Sequence, residues 1–165
     1  LYSSAASDVY KRQAQDGRWA VNLSDATCTN NHLFNNIIYS YHEWRGSILL
    51  PAPDVAGFAS DYNVLMDRFS ADDDNSVITL AEWQALGYDQ HSFIATPPQL
   101  FVSLSDYHLR PGSPAIDVGL ALANVTADLE GRARPQGAGY DIGALEFVEA
   151  GAESVVLPVV LKMRW

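Results

Sequence analysis

Four groups of residues in this chain could do chemistry. The densest is Ser70-Ala-Asp-Asp-Asp-Asn-Ser76, an acidic run of the sort that can ligate calcium. On a calcium-loop template starting at Ala71, Asp73, Asn75, Ile78 and Glu82 fall at suitable positions, but Ala71 offers no ligand and Ser76 stands where the sharp turn needs glycine. Calcium is thus the one cofactor the sequence raises, and the run fits it poorly. The second group is His42-Glu43-Trp44-Arg45-Gly46. An exposed Trp with hydrogen-bonding neighbours can stack on the apolar face of a sugar, which would make an extracellular polysaccharide the partner. The plainer reading is a loop whose Trp packs inward while its charges are solvated. In the third group, Tyr88-Asp-Gln-His91, Asp89 and His91 could suggest acid/base work, yet no third group completes the set and a loop is expected. In the fourth, Arg132 and Arg134 lie within reach of the chain ends that carry Asp117 and Asp141, and a structural Arg/carboxylate clasp is expected. No residue is assigned as catalytic, cofactor-binding or metal-ligating.

The elements that would position these groups are short. Leu33-Phe-Asn-Asn-Ile-Ile-Tyr-Ser-Tyr41 is the clearest strand, rich in β-branched and aromatic residues. A similar entry recurs at Tyr62-Asn63-Val64-Leu65, where Asn63 precedes Val64 as Asn36 precedes Ile37, 27 residues apart. That interval suits one turn of a solenoid in which equivalent Asn side chains stack and hydrogen-bond. Thr79-Leu-Ala-Glu82 has the form of a capping box, predicting one short helix near residues 80–86 with Gly87 as its stop. Thr96-Pro-Pro-Gln-Leu-Phe-Val102 reads as a turn entering another strand. Short β-runs punctuated by Gly, Pro and Asn make the fold class mostly β.

Net charge is −10 over 165 residues, which lacks the basic footprint of nucleic-acid binding and would repel acidic polysaccharides without a local basic cleft or bridging cation. Cys28 is the only cysteine, so no intrachain disulfide can form; it reads as a small buried residue. The tail Val155-Val-Leu-Pro-Val-Val-Leu161 is far too short to span a bilayer, and is expected as a strand covering the end or flank of the fold within residues 149–165.

Two stretches carry a resemblance. Asp106-Tyr-His-Leu-Arg-Pro-Gly-Ser-Pro-Ala-Ile-Asp-Val-Gly119 and Asp128-Leu-Glu-Gly-Arg-Ala-Arg-Pro-Gln-Gly-Ala-Gly-Tyr-Asp-Ile-Gly-Ala-Leu-Glu-Phe147 resemble the choice-of-anchor Q domain, the C-terminal module of secreted bacterial right-handed parallel β-helix proteins with a pectin-lyase-like fold. The resemblance covers roughly residues 33–147 and is strongest at its C-terminal end. It implies C-terminal β-helix coils over residues 14–105, an irregular end module at 106–148 that caps the solenoid, and an extracellular or cell-surface place in a bacterium. The function it implies is non-catalytic, with glycan binding or surface attachment as contributions. A polysaccharide lyase or glycoside hydrolase with its active site upstream, and a calcium-stabilised adhesin, stand as alternatives.

Ser3-Ser-Ala-Ala-Ser-Asp-Val-Tyr-Lys-Arg-Gln13 reads as the in-frame translation of a transposase-type sequencing adapter, so residues 1–13 are set aside from fold reasoning. The expectation is that Ala14 lies inside a longer gene, with upstream β-helix coils missing. A chain cut there would be marginally stable or self-associating.

Overall fold

The computed structural model describes residues 19–25 and 27–149; the adapter-like segment and the expected tail strand lie outside them. The elements in chain order are β1 (Val21–Asn22), β2 (His32–Phe34), β3 (Ile37–Ile38), β4 (Ile48–Leu49), β5 (Ala59–Asp61), β6 (Val64–Leu65) and β7 (Phe69–Ser70). Helix α1 (Leu80–Ala85), β8 (Phe93–Ile94), helix α2 (Pro97–Leu100), β9 (Phe101–Ser103) and β10 (Asp106–Leu109) follow. The protein is mostly β, as its punctuation predicts.

Three sheets are parallel, in the orders β1-β4-β7, β2-β5 and β3-β6-β8, and β9 pairs with β10 antiparallel. Three successive strands, β2, β3 and β4, therefore lie in order on the next three, β5, β6 and β7. Val21↔Ile48, Leu33↔Ser60 and Ile37↔Val64 share the 27-residue offset that separates Asn36 from Asn63. The offset then shortens between β4 and β7 and lengthens between β6 and β8, as loops of different length intervene.

Consecutive strand residues point to opposite faces, and Ile37 and Ile38 show the result. Ile38 joins Ile48, Leu65, Phe69 and Trp83 in one buried cluster. Ile37 joins Val64, Leu100, Ala115 and Ile142 in a second. The β3-β6 pair is thus covered on both sides, which its unbroken apolar residues require, while Ile94 of the edge strand β8 stays exposed.

Helix α1 closes one end of the first cluster. Its capping box forms as predicted: Thr79 N–H donates to Glu82 Oε2 at 2.8 Å and Glu82 N–H to Thr79 Oγ1 at 3.3 Å. Trp83 is fully buried and stacks on Phe69 with ring centroids 5.0 Å apart. Ile78 and Phe69 exchange both backbone hydrogen bonds in an antiparallel bridge, covering the outer edge of β7. A second helix, α2, stands where the sequence suggests only a turn; Pro97 takes the first helical position, where its missing N–H costs nothing.

Within residues 106–148, the segment expected as an end module, Ala115 and Ile142 join Ile37 of β3 in the second buried cluster. The segment is fastened there by Asn35, which stands at φ 58°. Asn35 Nδ2 donates to Leu120 O and Leu120 N–H donates to Asn35 Oδ1, both at 2.7 Å, while Gly143 N–H donates to Asn35 O. The expected clasp is present with different partners. Arg134 NH1 pairs with Glu146 Oε1 at 2.8 Å, both side chains buried, and Arg134 also donates to the carbonyls of Asp141 and Gly143. Asp117 and Asp141 instead accept backbone N–H groups, of Gly139 and of Asp117 and Phe147 respectively. Arg132 pairs with Glu130 at the surface.

Candidate functional site

The β9-β10 hairpin brings together the most concentrated polar chemistry outside the structural bonds. Asp106 and His108 are two apart on β10 and share a face. His108 Nδ1 lies 2.6 Å from Asp106 Oδ1 and its Nε2 lies 3.0 Å from Glu130 Oε1; Arg132 NH1 holds the other Glu130 oxygen at 2.8 Å. The hydrogen bond to Asp106 is the main force raising the His108 pKa, aided by the Glu130 charge and opposed by burial. The same bond, with the His108 backbone N–H, lowers that of Asp106. Beside this row a cavity of about 250 Å³ is lined by Ile37, Phe101, Leu129 and Leu145, with Asp106 and His108 on one side. Ser105 lies on the same wall, but its hydroxyl bonds Ser103 Oγ. Both ring nitrogens of His108 face carboxylates, those of Asp106 and Glu130.

No family model, curated protein or solved structure matches this chain.

The loop 42–46 is a second candidate, and Trp44 does not pack inward as the plainer reading has it: it is 61 % exposed. Its backbone is held from several sides. Arg68 donates to the carbonyls of Glu43 and Trp44 at 3.2 and 3.1 Å, and Trp44 N–H donates to His42 Nδ1. Arg45 pairs with Asp74 at 2.9 Å, and Gly46 leaves no room for a Cβ, which would stand 2.2 Å from Arg68 O. The indole is thus displayed on a braced loop, with Tyr41, 53 % exposed, three residues before it.

The acidic run is tied into the fold by its own oxygens. Asp72 accepts from Ser70 Oγ and from the N–H and hydroxyl of Ser76; the Ser76 bonds are the main force holding its pKa down. Asp74 accepts from Trp19 Nε1 and Arg45. Among the described residues no group of three or more His, Cys, Asp and Glu gathers as for a metal, and no helix is long and apolar enough to cross a membrane.

Asp89 and His91 part company. Asp89 is fully buried and accepts from Asn63 Nδ2, Ser92 Oγ and Trp83 Nε1 at 2.9, 2.6 and 2.8 Å. His91 turns to Asp61, Nδ1 to Oδ2 at 2.7 Å, and stacks on Tyr62 at 4.7 Å. Asp89 belongs to a ladder running across the sheets. Asn63 Oδ1 accepts from Asn36 N–H and Nδ2, and Asn63 N–H donates to Ser92 Oγ. Asn36, Asn63 and Ser92 precede the paired residues Ile37, Val64 and Phe93, so they occupy equivalent positions. Cys28, half-buried, is a free thiol.

Sequence reasoning missed the Asp106-His108-Glu130 row. The signal available was Asp-x-His on a β-pattern, with both side chains on one face.

Proposed function

We propose that the chain is the C-terminal, non-catalytic part of a right-handed parallel β-helix protein acting outside a bacterial cell or on its surface. In this reading residues 106–148, the choice-of-anchor Q-like module, close the flank of the solenoid beside whatever anchors it, while α1 closes its interior. The observation that carries it is the run of three parallel strand pairs at one offset, reinforced by the Asn36-Asn63-Ser92 ladder. Stacked coils joined through equivalent polar side chains produce both. Among the described residues β1, β2 and β3 each end a sheet, and further coils would add at those edges. Buried Asp89, Arg134 and Glu146 serve structural bonds, which supports a scaffold rather than a reaction. The braced, exposed Trp44 supports an extracellular polysaccharide as partner.

The test is to incubate the full chain with a panel of bacterial and plant polysaccharides. Retention on at least one, without new reducing ends or unsaturated uronates, is the expected result. Trp44→Ala, with an unchanged melting curve, is expected to weaken retention roughly tenfold or more, as for an aromatic hot spot. Depolymerisation by the chain would end the non-catalytic reading, and retention indifferent to Trp44 would end the platform.

A further inference from the structure

The cavity under the β9-β10 hairpin is not explained by the capping of a solenoid. Close-packed interiors leave few voids larger than a water, and an apolar cavity of about 150 Å³ already takes up benzene. This one measures about 250 Å³. It reaches the surface, because Leu129 on its wall is 64 % exposed. Its floor is the second buried cluster, which holds Ile37 and Phe101 in place. One side differs from the apolar rest: Asp106 and His108 line it, and His108 is bonded in turn to Glu130 and Glu130 to Arg132, by bonds of 2.6 to 3.0 Å. An apolar pocket with a few converging polar groups of perturbed pKa is the usual form of a small-ligand site.

The row also indicates what the ligand carries. A carboxylate offers about four acceptor positions. Among the described residues, the bonds to Asp106 all fall on Oδ1, from the His108 N–H and ring. Asp106 and His108 are the two charged side chains on the cavity wall, and both ring nitrogens of His108 are already engaged with carboxylates. The rim therefore has acceptor capacity to spare, on Asp106 Oδ2, and no matching surplus of donors. A ligand head that donates and carries positive charge fits it, and the net charge of −10 favours the approach of a cation.

We propose that this cavity binds a small amphiphilic cation, its aromatic or branched aliphatic body among Ile37, Phe101 and Leu145 and its ammonium group on Asp106.

The probe is 2-phenylethylammonium, titrated into the full chain and followed by NMR, with 2-phenylethanol and 3-phenylpropionate as neutral and anionic counterparts of similar shape. The expected result is saturable shifts at Ala144 and Leu145 with the ammonium binding tightest. Asp106→Asn, which keeps the side-chain shape, should weaken the ammonium roughly tenfold, the worth of one charge-assisted hydrogen bond, and leave the alcohol little changed. Ala144→Leu, which fills the cavity from its wall, should abolish binding of both. Equal binding of all three probes, absence of shifts at millimolar probe, or binding that survives Ala144→Leu would each overturn the site.

Discussion

Replacing Asn63 by Asp tests whether the ladder holds the strand stack together. The two side chains have the same shape, so packing is preserved and only the amide donor changes. Asn63 is fully buried, and its Nδ2 lies 2.9 Å from Leu33 O, 3.1 Å from Ser60 Oγ and 2.9 Å from Asp89 Oδ1. In Asn63→Asp an oxygen faces two acceptors that cannot donate, the Leu33 carbonyl and the Asp89 carboxylate, while the Ser60 hydroxyl can turn to donate. Leaving buried acceptors unsatisfied costs about 1–3 kcal/mol each, more beside a charge, and a second buried carboxylate adds repulsion. A loss of about 3–5 kcal/mol follows, a large part of the roughly 5–15 kcal/mol that holds a domain folded. Urea unfolding followed by Trp fluorescence reads it, since Trp83 bonds Asp89 directly. Lowering the pH should restore part of the loss, because the introduced carboxyl group regains one donor when it is protonated. Asn63→Ala is the companion: it removes the repulsion but leaves the buried Asn36 N–H without its acceptor, and should fall between the parent and Asn63→Asp. A variant Asn63→Asp within about 0.5 kcal/mol of the parent, the range of an ordinary surface change, would refute the reasoning.

Other outcomes can be checked on the same preparation. Arg134→Met strips a buried Glu146 of its cation and should cost about 3–5 kcal/mol, whereas a pairing of Arg134→Met with Glu146→Gln, which removes the unpaired charge and keeps an oxygen for the Gln136 or Asp141 N–H, should recover part of that in a double-mutant cycle; an unchanged melt for the single variant would dismiss the clasp. Thr79→Ala removes the cap of α1 and is expected to lower stability by about 1 kcal/mol in thermal melts. The raised pKa of His108 gives a signed pH effect: the link to Asp106 and Glu130 is fully present below the free imidazole value of about 6.5 and fades as pH rises through the folded value. The ring is 44 % exposed, so the change should stay within about 1 kcal/mol; stability that climbs across that window, or an identical profile in His108→Gln, would contradict it.

The chain announces its strand stack more clearly than its cross-chain partners. Asn36 and Asn63 precede matching apolar pairs and stand out in the sequence, and they bond as their spacing suggests. Ser92 does not stand out, because the chain there uses a shorter side chain at an interval of 29 residues and enlists Asp89 to complete the contacts. The capping box of α1 is legible because both partners sit within one turn. Arg134 is legible as a buried anchor but not with its partner: proximity points to Asp117 and Asp141, whereas those carboxylates are committed to backbone N–H groups and Glu146 arrives from an apolar stretch. Trp44 depends on Arg68, 24 residues away, and local sequence cannot show that a distant guanidinium holds its backbone out. For the same reason Glu130 is invisible as the far partner of His108, 22 residues away in the chain.

The bonds between Asn35 and Leu120 span 85 residues, far more than the intervals between paired strands. Where each layer touches only its neighbours, unfolding can start at either end and proceed stepwise. Here the segment that carries Leu120 and Gly143 grips Asn35, between β2 and β3, so these distant parts of the chain must come apart together. Melting should therefore be all-or-none, with one transition seen alike by fluorescence and calorimetry. The high contact order also makes folding slow, because the largest loop must close before its contacts repay the entropy.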